Sequence, residues 1–123
     1  MRNPDVERVL ASASDEVRDL AGRTRALVLD VLPAGIIEIV DGTDIGYGWT
    51  GGYKGLICVI GVHARWVNLG LADGAALPDP NELMQGRGKR HRFVRIGSAA
   101  DLDRAGLRDL LEASSAAHPR PGG

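Results

Sequence analysis

The chain has 123 residues, 44% of them hydrophobic and 25% charged, a composition that fits one globular domain and excludes collagen-like, coiled-coil and intrinsically disordered chains. Fifteen Lys and Arg against 16 Asp and Glu leave a formal charge of −1, so no overall field attracts nucleic acid or an anionic membrane. The single cysteine, Cys58, excludes an intramolecular disulfide. Because we also find no signal peptide and no membrane-length apolar run, we expect a cytoplasmic protein.

Helices are predicted near both ends of the chain. Ser14 is an N-cap for an amphipathic pattern that continues to Leu32, and a helical turn is predicted before it, over residues 5–11. A second amphipathic helix is predicted over residues 98–114, with a Ser98-x-x-Asp101 cap. We therefore predict one α+β domain over residues 1–114, followed by a flexible tail over residues 115–123, which has little to bury.

Between the helices, runs rich in β-branched and aromatic residues predict the strands of an antiparallel meander. These runs are residues 36–40, 44–49, 56–62, 65–71 and 91–96. The third run is apolar throughout except for glycine, which predicts a central strand covered on both faces. In the fourth, Trp66 and Asn68 share one face and Val67, Leu69 and Leu71 the other. Residues 79–86 carry a one-turn helix signal, from an Asp79 cap to a Gly86 stop.

Residues 46–51, GYGWTG, match the G-x-G-x-x-G pattern of dinucleotide-binding loops. That pattern binds phosphate when a helix begins at its glycines. Here Gly51 and Gly52 are followed by another glycine-containing segment and a β-rich run, so a helix is not expected. We interpret the segment as a hairpin turn, with Gly51-Gly52 supplying positive backbone angles.

Several segments together resemble the YdhG-like domains, a mostly uncharacterised bacterial family with frataxin-like iron-chaperone members. They are Glu38-Ile39-Val40, Gly42, Tyr47, residues 67–96 and residues 101–114. Where many members carry Trp-Gly-x-Pro, this chain has the tetrapeptide DGTD at 41–44. The resemblance implies a frataxin-like sandwich, an antiparallel sheet with the terminal helices packed on it.

The segment GRGKRHR, residues 86–92, is the densest local charge in the chain. One interpretation is a binding site for a small anion, formed by Arg87, Lys89, Arg90 and Arg92. The other is a solvated loop whose cations pair with Asp79, Glu82, Asp101 or Asp103. Nucleic acid is disfavoured because the net charge is near zero and aromatic residues are few.

Iron is the ligand that the family resemblance implies, held weakly by surface carboxylates. The candidate ligands are Asp15, Glu16, Asp19, Glu38, Asp41 and Asp44. Three arginines lie among the helical acids and reduce their negative potential, and complementarity to the helix dipole explains Asp15 and Glu16 equally well.

Three aromatic residues, Tyr47, Trp49 and Trp66, are expected on the sheet face that the helices leave uncovered. They are interpreted as a plain cover for that face, as the walls of a ligand groove with Asn68, or as a homodimer patch. The three histidines share no metal-ligand spacing, and no motif indicates catalysis. We expect a binding or chaperone-like module for a small anion or a protein partner, with an iron chaperone as the alternative.

Overall fold

A computed structural model describes residues 2–122, without the side chain of Tyr53. Within that range the α-helices are α1 (Pro4–Ala11), α2 (Asp15–Val31) and α3 (Leu107–Ala117). The strands are β1 (Ile37–Asp41), β2 (Asp44–Gly48), β3 (Leu56–Val62), β4 (Val67–Leu71) and β5 (Arg92–Ile96). They form one antiparallel sheet in the order β1-β2-β3-β4-β5. The predicted single α+β domain is therefore confirmed.

The predicted cap of α2 is confirmed, because the Ser14 side chain accepts a hydrogen bond from the Val17 amide. Pro4 and the N-cap Asn3 begin α1 in the same locally encoded way. The apolar side of α2 packs on β3 and β4, and α1 lies against β1. All three helices thus contribute to one core on a single face of the sheet.

Strand alternation divides the sheet into two faces with different contents. On the helical face most side chains of the central strands are fully buried, among them Ile45, Ile60, Leu69 and Val94. The opposite face carries Asp44, Gly46 and Gly48 of β2, Gly61 of β3, and Asn68 and Gly70 of β4. No helix of residues 2–122 covers that face, and we call it the open face.

The prediction of a one-turn helix at residues 79–86 is wrong. Asp79 does act as a cap, since its carboxylate accepts hydrogen bonds from the Leu83 and Met84 amides at 2.9 Å. However, Glu82 has a left-handed φ of 52°, and Gln85 pairs with Phe93 as a β-bridge. The segment is a turn because pairing with the sheet replaces the next helical hydrogen bonds.

The predicted helix over residues 98–114 is two elements. Asp101 accepts hydrogen bonds from the Gly97 and Ser98 amides, and this cap begins a 3-10 helix, Ala99–Asp103. Gly106, with a φ of 92°, then separates it from α3. A side chain there would also meet Asn81.

Part of the predicted tail is structured, because α3 continues to Ala117. Beyond it, His118 contacts Asp73 at 3.0 Å and the Ser114 carbonyl at 2.7 Å through its two ring nitrogens. The guanidinium of Arg120 lies 5.5 Å from the Trp49 ring centroid. The boundary at residue 114 is therefore too early, and Gly123 lies outside the described residues.

The loop between β2 and β3 spans residues 49–55 and joins the two strands as a hairpin, with the Trp49 backbone amide donating to the Gly55 carbonyl at 2.9 Å. It contains one turn of 3-10 helix, Tyr53–Gly55, but no α-helix begins at its glycines. Neither Gly51 nor Gly52 has a positive φ, so the predicted backbone angles are wrong. No helix within residues 2–122 is long and apolar enough to cross a membrane.

Candidate functional site on the open face of the sheet

The open face carries a cleft of about 470 Å³. It crosses all five strands, and two rows of paired residues form its floor. The first row is Ile39, Gly46, Val59, Gly70 and Phe93. The second contains Asp41, Asp44, Gly61 and Asn68. One row is thus mainly apolar and the other mainly polar.

Glycines create the depth of the cleft, because they leave the strands of the floor without side chains. At position 48 the neighbouring backbone requires glycine, since a Cβ there would overlap the Gly55 carbonyl oxygen. At Gly70 the ring of His91 lies where a Cβ would stand. Gly46 is different: its φ is not positive, and a Cβ there would lie 3.4 Å from its nearest neighbour, Leu56 Cδ1, which is an ordinary contact. Local packing therefore does not demand glycine at position 46.

Hydrogen-bond acceptors converge around Gly61 at the polar row. Asp44 Oδ1 lies 3.3 Å, and His63 Nε2 3.5 Å, from the position that a Cβ on Gly61 would take. Asn68 Nδ2 is 3.2 Å from His63 Nε2. Because an amide nitrogen only donates, the imidazole nitrogen accepts in this pair. Asn68 Oδ1 is buried and has no hydrogen-bond partner among the described residues.

Trp66 borders this polar end without lining the cleft. Its ring stacks on His63 with centroids 5.6 Å apart, and the guanidinium of Arg95 lies 4.2 Å from the Trp66 ring centroid. Its Nε1 is buried without a partner among the described residues. The sequence correctly placed Trp66 and Asn68 on one face, and both lie at the same end of the open face.

The apolar half of the cleft is formed by side chains from the outer and central strands. They are Ile37, Ile39, Leu56, Val59 and Phe93. Ile37 and Ile39 are 38% and 42% exposed, unusually high for large aliphatic residues. β3 is central, as predicted, but Leu56 and Val59 are only partly buried. The prediction that this strand is covered on both faces is therefore wrong.

Tyr47 and Trp49 do not lie on the open face, contrary to the sequence-based expectation. Tyr47 is fully buried on the helical face, where its hydroxyl donates to Glu38 Oε2 at 2.5 Å. Trp49 packs against the core and donates from Nε1 to the His118 carbonyl at 2.8 Å. Alternation explains Tyr47, since Gly46 and Gly48 occupy the open side of β2. Tyr47 is among the residues that line the cleft, but its phenol is buried on the other face, and Trp49 does not line the cleft.

Glu38 forms a buried polar network beneath α2. Its side chain is 1% exposed and accepts two hydrogen bonds from Arg25, at 2.7 and 2.8 Å, besides that from Tyr47. Burial alone would raise the pKa of Glu38, but the hydrogen bonds from Arg25 and Tyr47 outweigh it and hold that pKa below its ordinary value. Burial and then the Glu38 carboxylate raise the pKa of Tyr47. Both carboxylate oxygens of Glu38 therefore already accept hydrogen bonds within the protein.

The six predicted iron ligands are not brought together. Asp15 and Asp19 pair with arginines of their own helix, at 3.2 and 2.9 Å, and Glu16 is exposed on α2. Glu38 is committed to Arg25 and Tyr47. Asp41 and Asp44 lie opposite each other on the open face. Among the described residues, no group of three or more His, Cys, Asp or Glu is arranged to hold a metal ion. The six residues therefore form no single metal site in the described part of the chain, and iron binding stays a prediction.

The basic segment 86–92 lies beside the cleft but does not contribute its cations to it. Arg87, Lys89 and Arg90 are exposed, and no carboxylate of the described residues pairs with them. Arg92 donates to the Gly88 and His91 carbonyls, which folds the loop on itself. Asp79 and Asp101 are engaged by backbone amides, so the predicted pairing is wrong. An anion site on this loop stays a prediction.

Cys58 is a core residue. It is fully buried on the helical face, and burial raises the pKa of its thiol to about 12. The thiolate is the reactive form, so this side chain is a poor nucleophile at neutral pH.

The glycines and aliphatic residues of the cleft were missed in the sequence, although a signal for them exists. Asn68 was predicted to line a groove, and Asp41 and Asp44 were predicted only as metal ligands. In IGYG (45–48) and NLGL (68–71), glycine or a polar residue alternates with a bulky one. This period of two indicates a sheet face on which few bulky side chains project. What the sequence does not fix is the register that brings Asp44, Gly61 and Asn68 side by side.

Comparison of the chain with protein-family models, with curated proteins and with solved structures finds no match. Membership of the YdhG-like domains therefore stays a prediction, and the geometry of the open face is the basis for a functional conclusion.

Proposed function

We propose that the protein is a small binding module that takes a small organic ligand in the cleft of the open face. The volume, about 470 Å³, lies within the range of small-molecule sites. Apolar walls with a few convergent polar groups are also typical of such sites. A cytoplasmic location and kinship with the YdhG-like domains remain part of the proposal, and the unpaired thiol of Cys58 is compatible with the former.

The observation that carries the proposal is the glycine at position 46. Glycine inside a strand destabilises it by about 0.5–1 kcal/mol relative to alanine. Neither the backbone angles nor a close contact requires glycine here. What the missing side chain maintains is the space between Ile39 and Val59, at the middle of the cleft. Ligand binding in that space would explain why position 46 is glycine despite the cost in stability.

A fragment screen by amide chemical-shift mapping tests the proposal. Binding should shift the amides of Gly46, Val59 and Gly70, which lie on the cleft floor, and leave those of α3 unchanged. Gly46→Val places a branched side chain on that floor, so it should weaken every cleft-binding fragment by about tenfold or more.

The matched control is Gly22→Ala in α2, where a new Cβ has no atom within 4 Å. That variant should bind fragments as the wild type does. Fragments that shift only residues outside the cleft, or that bind Gly46→Val unchanged, would overturn the proposal. The proposal would also be overturned if the protein dimerised through the open face at the concentration used for the titration, because that face would then be a homodimer interface.

A further inference from the structure

We infer that the ligand of this cleft is an organic cation, an amine carried on a flat apolar body. The inference rests on the proposed function, since it names the class of molecule that the open face takes. It contrasts with the anionic ligand expected from the basic segment 86–92.

Charge supports a cation. Asp41 and Asp44 line the cleft, lie directly opposite each other across the β1–β2 turn, and pair with no cation among the described residues. Two like charges in such a cross-strand pair destabilise a sheet. A bound ammonium would remove that repulsion. No Lys or Arg of the described residues lines the cleft.

Asn68 adds an acceptor beside Asp44. Its Nδ2 donates to His63 Nε2 and so uses the one lone pair of that nitrogen, while its Oδ1 is buried without a partner among residues 2–122. A ligand group that meets the Asp44 carboxylate must therefore donate hydrogen bonds. An ammonium has donors and no acceptor, as a carboxylate has acceptors and no donor.

The guanidinium of Arg95, on the same face, does not pair with Asp44. Arg95 is held over the Trp66 ring and forms an ion pair with no carboxylate of the described residues. Its strand, β5, is three strands from β2, a backbone separation of about 14 Å at the usual strand spacing. Arg95 therefore does not neutralise Asp44 by direct contact.

The apolar row of the cleft indicates that the part of the ligand other than its ammonium is flat and apolar. From Ile39 on β1 to Phe93 on β5 it runs across the sheet, beside the carboxylates, with Gly46 and Gly70 flattening the floor. A planar ring system lies over Gly46, between Ile39 and Val59, which is two residues along β2 from Asp44. The ammonium then projects toward Asp44.

Three indole derivatives that differ only in the charge of the side chain test the inference. They are tryptamine, a cation; tryptophol, which is neutral; and indole-3-acetate, an anion. In amide-shift titrations, tryptamine should bind about tenfold more tightly than indole-3-acetate, with tryptophol between them, and should shift the amides of Asp44, Gly61 and Asn68.

The variant Asp44→Asn keeps the shape of the side chain and removes its charge, so it should abolish most of the preference for tryptamine. Asp109→Asn, on the exposed side of α3, makes the same change in net charge away from the cleft and should keep the preference. Equal or tighter cleft binding of indole-3-acetate would overturn the inference while leaving the proposed function intact. So would an unchanged preference in Asp44→Asn, or failure of all three indoles to shift the cleft amides.

Discussion

The two faces of the sheet treat their polar groups in opposite ways. On the helical face, the buried carboxylate of Glu38 receives hydrogen bonds from Arg25, Tyr47 and Asn3. On the open face, Asp41 and Asp44 oppose each other, and Asn68 Oδ1 is buried with no partner in the described part of the chain. One face is arranged to be stable by itself, and the other retains features that reduce stability.

This difference separates folding residues from binding residues. A substitution on the helical face breaks existing interactions, so it should lower the free energy of unfolding. A substitution that fills the cleft or removes a charge from the open face breaks no buried hydrogen bond or ion pair of the described residues. Such a substitution should keep or raise the free energy of unfolding while it weakens ligand binding, as is common where function and stability compete.

The largest effect is expected for Glu38→Gln. The change leaves the Arg25 guanidinium without its carboxylate inside the fold, and breaking a buried pair in this way costs about 3 kcal/mol. Urea unfolding measures the loss. The control is Asp19→Asn, which breaks the exposed pair with Arg23 and should change the stability by less than about 1 kcal/mol. Similar losses in the two variants would contradict the account of the helical face.

A dependence on pH follows from the same carboxylate. The folded-state pKa of Glu38 lies below its ordinary value of 4.5, so the unfolded chain takes up the proton first as the pH falls. The contribution of Glu38 is complete above about pH 4.5 and is lost as the pH falls through the folded-state pKa. The unfolding free energy of the wild type should therefore fall more steeply with acid than that of Glu38→Gln. Parallel curves would show that the pair is not formed.

On the open face, Gly46→Val should raise the unfolding free energy by about 0.5–1 kcal/mol. Valine favours the extended backbone that glycine there already adopts. Chemical denaturation measures the gain, with Gly22→Ala as a control that stabilises α2 by a similar amount. A loss of stability in Gly46→Val would mean that the cleft floor is packed against something in the free protein.

The smallest effect is expected for Asp44→Asn. Removing one of two like charges from a cross-strand pair should stabilise the sheet by a few tenths of a kcal/mol. The gain should shrink in high salt, because the pair is exposed and screened. A clear loss of stability would indicate that Asp44 has a partner in the free protein.

The sequence predicts the elements of this fold well and their surroundings poorly. All five strands and α2 follow from periodicity and from caps such as Ser14. The helix signal at Asp79 failed because pairing of Gln85 with Phe93 depends on a neighbouring strand. Tyr47 was misplaced because aromatic side chains were expected to cover the open face, whereas alternation with Gly46 and Gly48 directs it inward. The cleft itself depends on cross-strand register, which local sequence does not encode.

The most direct test of the account is to measure stability and ligand binding together in Gly46→Val. We expect the two to change in opposite directions: a higher free energy of unfolding, and tryptamine affinity about tenfold lower than in the wild type. Gly22→Ala should raise stability and leave the affinity unchanged. If Gly46→Val binds tryptamine as well as the wild type does, the open face is not the binding surface, and the central claim is wrong.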